Sequence, residues 1–124
     1  MERKKKILYV QTSGVETPER TYAPFILGVT AIAMGMDACI FFGIKGCTIV
    51  QRGEADKVKL PQPFGLLKTA IEQATKAGVS FLVCEESARM LGIDLEKGLI
   101  NGVKIVGAAT LNTLVMESDA VMYF

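Results

Sequence analysis

The 124-residue sequence contains no histidine. Without an imidazole, the chain can form neither a Ser-His nor a Cys-His dyad, and it can build no metal site that depends on histidine ligands. Any thiol chemistry must therefore proceed without an imidazole base. We predict no metal ion and no cofactor for this protein.

The sequence also lacks a strong net charge, long apolar runs and an even number of cysteines. The formal net charge is +1, which gives no strong field for attracting nucleic acid or an acidic membrane surface. The apolar run Ile7–Val10 after the basic start is too short for a signal peptide or a membrane span. Three cysteines without a secretion signal argue against a disulfide scaffold. We therefore expect a cytoplasmic protein with no membrane span and no nucleic-acid partner.

What is present is a globular composition, half apolar and 22% charged, in a length that suits one domain over residues 1–124. Apolar runs predict five strands, at Ile7–Gln11, Asp37–Phe42, Val79–Val83, Val103–Ala108 and Ala120–Tyr123. Helical patterns between them predict four helices, at Tyr22–Met34, Phe64–Ala77, Glu85–Leu91 and Thr110–Ser118. Strands that alternate with helices indicate an α/β fold with a parallel sheet covered on both faces.

The apolar spacing of the first two helices predicts which side chains face the sheet. In the first helix, the inner residues are expected to be Ile26, Val29, Thr30 and Ala33. In the second helix, they are expected to be Phe64, Leu67, Ile71 and Ala74. Between these helices, the polar and proline-bearing stretch Arg52–Pro63 predicts a long loop, a candidate for shaping a site or an oligomer contact.

Cys84 lies where the third predicted strand gives way to a helix. In an open α/β sheet, ligands bind outside the carboxyl ends of the strands. A thiol at this point also lies near the amides of a helix start, which favour the thiolate form. Glu85 and Glu86 suit the helix dipole but oppose a thiolate by their charge, and Lys45 or Arg89 are the cations that would offset them. Cys84 is therefore our candidate nucleophile.

Other groups of interest follow the first two strands or lie within them. Thr12, Ser13 and Gly14 follow the first strand, where backbone N–H groups can cradle an anion, although a plain polar turn is the favoured interpretation. Cys47 follows the second strand and is either an exposed second thiol or a small apolar residue. Cys39, in the middle of the second strand, is expected to be buried and inert.

The order of the elements and the cysteine at the end of the third strand resemble the DsrE/DsrF-like sulfur-relay family. The matching stretches are ILYVQ, GMDACIFF, FGLLKTAIEQATKAG, VSFLVCEESARMLGI, INGVKIVGAATLNTLV and DAVMYF, which together cover nearly the whole chain. The resemblance implies a three-layer α/β/α domain with a five-stranded parallel sheet, and homo- or hetero-oligomers, commonly trimers or hexamers. In family members with demonstrated chemistry, the cysteine that matches Cys84 receives a sulfane sulfur as a persulfide and hands it on.

Three functions are compatible with the sequence, and whether the protein is an enzyme stays open among them. In the first, an intracellular sulfur carrier or sulfurtransferase uses Cys84 to accept sulfur from a donor protein and pass it to an acceptor, with Cys47 as a resolving thiol. In the second, the loops Thr12–Gly14, Gly43–Cys47 and Cys84–Glu86 line a ligand crevice without a covalent step. In the third, exposed apolar residues make the chain a homo-oligomer subunit, which is compatible with the first.

Overall fold

The structure, a computed structural model, describes residues 3–124. Its strands are β1 Lys6–Gln11, β2 Asp37–Phe42, β3 Ser80–Cys84, β4 Val103–Val106 and β5 Ala120–Tyr123. Its helices are α1 Ala23–Ala33, α2 Leu67–Ala77, α3 Glu85–Met90 and α4 Ala108–Glu117. The strands form one sheet in the order β4-β3-β2-β1-β5, and every neighbouring pair is parallel. The predicted α/β fold, a five-stranded parallel sheet between helices, is therefore confirmed.

Short 3₁₀ segments occupy part of what remains, at Pro18–Arg20, Ile44–Val50 and Ala55–Lys57. The predicted strand and helix positions hold to within a few residues. Helix α2 shows the largest difference, since it begins at Leu67 and the preceding Leu66 is extended, with ψ of 140°. At the other end of α2, Gly78 has φ of 99°, a conformation that glycine adopts without strain, and it ends the helix where the sequence predicts.

The main apolar core lies between the sheet and the layer formed by α1 and α2. Phe25, Phe42 and Phe81 meet there, with ring centroids 5.6 to 6.0 Å apart. Aromatic pairs of this geometry add about 0.5–1.5 kcal/mol beyond the free energy of area burial. Because this cluster joins α1 to β2 and β3, it fixes the two strands whose carboxyl ends carry the candidate site.

The inner face of α1 differs from the prediction. The residues of this helix that are buried are Pro24, Phe25, Gly28 and Ala31. None of the four residues predicted to face inward is buried, and Ile26 is 38% exposed. The reason is close packing: a Cβ added at Gly28 would lie 3.1 Å from Cγ2 of Val79, so only a small residue fits against the sheet there.

Helix α2 packs as predicted over its own length, but Phe64 does not belong to it. Leu67, Ile71 and Ala74 are buried against the core. Phe64 lies outside the helix, is 41% exposed, and stacks on Tyr22 at a centroid distance of 4.5 Å. The long loop before it is partly core, since its apolar residues Ala55, Val58 and Leu60 are all buried.

The opposite face of the sheet is covered more thinly. Leu8, Val10 and Phe41 form a second, smaller core with Cys84, and α4 packs on it although each of its ten residues is at least partly exposed. Grooves of about 230 and 560 Å³ open beside Leu114 of α4. Cys39 lines both grooves and is half-buried, so the prediction of a buried Cys39 is wrong, because α4 alone does not cover this face. Burial nevertheless raises the pKa of Cys39 to about 11.

Asp119 fastens the start of β5 to the start of β1. Its carboxylate accepts hydrogen bonds from the Arg3 guanidinium, at 2.7 and 2.9 Å, and from the backbone N–H of Lys6, at 2.7 Å. These bonds hold the pKa of Asp119 well below its usual value, with Arg3 the larger cause. A carboxyl with a depressed folded-state pKa stabilises the fold above its unfolded pKa of about 4, and this stabilisation is lost as the pH falls through the folded value.

Asp119→Asn should therefore lower the melting temperature at pH 7, because the amide cannot form the ion pair. The difference from the parent should shrink progressively below about pH 4, where the carboxyl of the unfolded parent begins to protonate while that of the folded parent is still ionised. Thermal unfolding of both proteins across this pH range measures the effect. A melting-temperature difference that stays constant as the pH falls would contradict the assigned role of the charge.

Candidate functional site

Cys84 is the last residue of β3 and directly precedes α3. The predicted strand ended one residue earlier, but the thiol lies where it was expected, at the carboxyl edge of the parallel sheet. Its neighbour across the ladder is Val106, the last residue of β4. The residue is 8% exposed, so its sulfur lies at the surface edge of the second core rather than in open solvent.

The segment after β2 lies at the same edge, because β2 and β3 are neighbours in the sheet. Its 3₁₀ turn begins at Ile44, whose backbone N–H donates to Oγ of Ser87 on α3 at 2.9 Å. This bond ties the segment to the helix that follows Cys84. Ile44 has φ of 52°, an unusual conformation for a β-branched residue, and its side chain is 53% exposed.

Cys47 lies inside this segment and is fully buried, so the interpretation of an exposed second thiol is wrong. The 3₁₀ turn directs its side chain inward, where Sγ donates to the backbone oxygen of Phe42 at 3.4 Å. Burial first, and then the electrostatic influence of Cys84, raise the pKa of Cys47 to about 11. The thiol of Cys84 therefore affects the pKa of Cys47, and both residues are free cysteines.

Glu86 connects Cys84 to the start of α4. Its Oε1 accepts a hydrogen bond from Sγ of Cys84 at 3.6 Å, and its Oε2 accepts one from the backbone N–H of Ala108 at 3.3 Å. Backbone N–H groups of Glu86 itself and of Ala108, with a smaller contribution from the thiol, hold the pKa of Glu86 below its usual value. The carboxylate is therefore ionised at neutral pH.

The groups expected to activate the thiol make no hydrogen bond to its sulfur among residues 3–124. Arg89 pairs with Glu85 on the exposed side of α3, at 3.7 Å, a geometry that stabilises a helix only slightly. Lys45 is exposed and forms no ion pair with residues 3–124. The side chain of Cys84 makes no capping hydrogen bond to α3, which is only six residues long. Within the described chain, the polar partner of the Cys84 sulfur is the Glu86 carboxylate.

The loop after β1 does not cradle an anion. The backbone N–H groups of Thr12 and Ser13 donate to the backbone oxygen of Phe124, at 2.6 and 3.4 Å. The N–H of Gly14 donates to the Glu16 carboxylate at 3.2 Å. All three donors are thus occupied within the chain, as suits the polar turn that the sequence favoured. This occupation weakens the hypothesis of a ligand crevice at this edge.

Residues 3–124 provide neither a metal-binding cluster nor a membrane-spanning helix. No group of three or more Cys, Asp or Glu side chains comes together there in a way that could hold a metal ion. Among the helices of the same residues, none has the length and apolarity needed to cross a membrane.

Two features of this site were not predicted from the sequence. The burial of Cys47 depends on a 3₁₀ turn, for which the stretch after Gly43 carries no distinctive signal. The contact between Glu86 and Ala108 joins residues 22 positions apart. No local pattern encodes such a contact, because it depends on β4 pairing with β3 and delivering the start of α4 to that place.

The chain is similar in sequence to known proteins. The model of the DsrE/DsrF-like family matches residues 5–124 of this chain. The uncharacterized protein MJ0760 of Methanocaldococcus jannaschii is 34% identical over 105 residues, which make up 85% of this chain. The chain spans only 38% of that relative's length.

Two solved structures share the fold. The ychN protein from E. coli superposes with a TM-score of 0.78 at 21% identity, covering 97% of this chain and 99% of that one. The protein of unknown function MTH1491 from Methanobacterium thermoautotrophicum gives a TM-score of 0.64 at 14% identity, covering 98% and 100%. At these identities the likeness concerns the fold alone. Because the family model spans nearly the whole chain, the protein belongs to the DsrE/DsrF-like family.

Proposed function

We propose that this protein is a sulfur-relay protein that carries sulfane sulfur as a persulfide on Cys84. The observation that carries the proposal is the position of Cys84 at the carboxyl end of β3, beside the segment that follows the neighbouring strand β2. Parallel sheets present their reactive groups at this edge. Membership of the DsrE/DsrF-like family supports a function of the sulfur-relay type.

In uptake, the Cys84 thiolate attacks the outer sulfur of a donor persulfide, R–S–SH. The donor's S–S bond breaks, a new S–S bond forms on Cys84, and the proton released by the Cys84 thiol ends on the departing R–S. Transfer to a partner thiol repeats the same displacement in the other direction. No oxidant or reductant is consumed, because each S–S bond that breaks is replaced by one that forms.

Cys47 offers a second route from the persulfide. The Cys47 thiolate would attack the inner sulfur of the Cys84 persulfide and form a Cys47–Cys84 disulfide. The outer sulfur leaves as hydrogen sulfide and takes up the proton that Cys47 released. Full burial and a pKa raised to about 11 keep Cys47 protonated at neutral pH. This route therefore requires the segment Ile44–Val50 to open.

Mass spectrometry tests the proposal directly. The reduced protein is incubated with an organic persulfide, and the peptide that gains sulfur is mapped. We expect one added sulfur atom, on the peptide that contains Cys84, and its removal by a dithiol. Sulfur found on Cys39 instead, or no gain at all, would contradict the proposed carrier role.

We also propose that the chain assembles into a homo-oligomer, a trimer or a hexamer, through the thinly covered face of the sheet. On this face α4 has no buried residue, and its Met116 is 85% exposed. Leu114 borders two open grooves. Apolar surface left uncovered in this way favours association with a second copy, which buries it.

Met116→Glu should lower the mass of the assembly measured by light scattering, because it places a charge in the proposed interface. Met34→Glu is the matched control, since Met34 is 69% exposed but lies at the end of α1, on the other side of the sheet. It should leave the mass unchanged. A parent that is monomeric at micromolar concentration would contradict the proposal, as would a Met116→Glu protein of unaltered mass.

A further inference from the structure

We propose that Glu86 determines the class of sulfur donor that Cys84 accepts: its carboxylate disfavours anionic donors and selects a persulfide presented beside a cationic group. This inference rests on the proposed function and extends it to the donor. It follows from the placement of one ionised side chain against the sulfur, and from the contacts that hold this side chain in place.

The carboxylate is fixed from two sides. Oε1 lies 3.6 Å from Sγ of Cys84, and Oε2 lies 3.3 Å from the backbone nitrogen of Ala108. Ala108 is the first residue of α4, so its N–H has no acceptor within its own helix and carries part of the positive end of the helix dipole. An anionic side chain is stabilised at such a position. Glu86 is exposed, and these two contacts hold its negative charge beside the sulfur.

A fixed negative charge at this distance repels any anion that approaches the sulfur. At contact distance the screening by salt is weak, because the Debye length is about 8 Å at physiological ionic strength. Thiosulfate and inorganic polysulfide are anions, so this repulsion acts against them.

No ion pair within residues 3–124 offsets the charge of Glu86. From the segment after β2 comes Cys47, which burial keeps protonated, whereas Lys45 is exposed and unpaired among the described residues. On α3 the remaining charges, Glu85 and Arg89, pair with each other. β4 contributes Val106 beside Cys84 and, two residues earlier on the same face, Lys104, which lines the groove beside Leu114 and pairs with no carboxylate of residues 3–124. α4 contributes the N–H of Ala108.

A cation that pairs with Glu86 can then come with the donor. A lysine or arginine beside the donor's persulfide would pair with Glu86 and neutralise the charge beside the sulfur. The attack then proceeds with the same balance of atoms as above: the donor's S–S bond breaks, the Cys84 S–S bond forms, and the proton of Cys84 passes to the donor's departing sulfur. Glu86 itself forms no bond with sulfur, so it is a positioning and specificity residue.

The test uses methanethiosulfonate reagents, one cationic and one anionic, of similar size. Both react with the thiolate, so the thiolate fraction cancels in the ratio of the two rates, and the ratio reports the charge beside the sulfur. Labelling of the Cys84 peptide is followed by mass spectrometry from pH 6 to pH 10 in the parent, in Glu86→Gln and in Glu85→Gln. Glu85→Gln is the matched control, because it removes the same charge from the adjacent residue.

We expect the parent to prefer the cationic reagent. Glu86→Gln should lower this preference by about 25-fold, because a factor of about five, which corresponds to about 1 kcal/mol for unit charges in water at 4 Å, applies to each reagent in opposite directions. Glu85→Gln should keep the parent's ratio.

The proposal is overturned if the ratio of Glu86→Gln matches that of the parent, or if Glu85→Gln changes the ratio as much. Labelling of Cys84 by neither reagent, in the parent and in Glu86→Gln alike, overturns it as well. None of these readouts requires sulfur transfer. A failure of the carrier function would instead be seen as an unmodified Cys84 after persulfide treatment, so the two failures are distinguishable.

Discussion

Cys84→Ser should abolish sulfur uptake and leave the fold and the oligomer intact. Serine is close to cysteine in size, and Oε1 of Glu86 is in place to accept a hydrogen bond from the new hydroxyl. A hydroxyl does not ionise at neutral pH, and with no histidine in the chain there is no imidazole to activate it. Mass spectrometry after identical persulfide treatment of the parent and the variant measures the loss.

Cys39→Ser is the control for this experiment. Cys39 is half-buried on the thin face of the sheet, and its pKa is raised to about 11, so it should contribute little thiolate at neutral pH. We expect uptake by Cys39→Ser to equal that of the parent. If Cys84→Ser gains sulfur as readily as the parent, the assignment to Cys84 is wrong and a ligand-binding role becomes the better hypothesis.

The sheet could be predicted from sequence because each strand can be recognised from its own residues. Asp37–Phe42 is a compact apolar run between two glycine-bearing turns, and the observed β2 has the predicted bounds. The stretch before Cys84 has the same character, and only its bounds shift by one residue in the structure. Alternation of such runs with helices leaves few arrangements other than a parallel sheet.

The surroundings of the thiols could not be predicted in the same way. Whether Cys39 is covered depends on how much of the sheet α4 spans, and whether Cys47 turns inward depends on packing against β2. The inner face of α1 was wrong for a related reason: apolar spacing ignores size, whereas the close approach of Gly28 to Val79 is decided by size. The pattern of apolar residues predicts where strands and helices lie, whereas tertiary packing decides which of their side chains are exposed.

Gly46→Ala should destabilise the protein more than Gly43→Ala, although each adds a single methyl group. Gly46 is buried in the segment that carries Cys47, and its N–H donates to the backbone oxygens of Thr12, at 3.1 Å, and of Gly43, at 2.9 Å. A Cβ at this position would overlap the backbone oxygen of Gln11 at the end of β1. Because a backbone atom cannot swing aside as a side chain can, the segment must move away from the sheet.

Overpacking of this kind costs about 1–3 kcal/mol and sometimes more, a large share of a typical stability of about 5–15 kcal/mol. Denaturant unfolding should show this loss, and alkylation of Cys47 should become faster as its segment loosens. Gly43→Ala is the control, because its Cβ would meet Cε1 of Phe41 at an ordinary 3.5 Å and its φ of −127° suits any residue. We expect it to stay within about 0.5 kcal/mol of the parent. Equal stability of the two variants would show that the segment after β2 is not held against β1 by the close approach at Gly46.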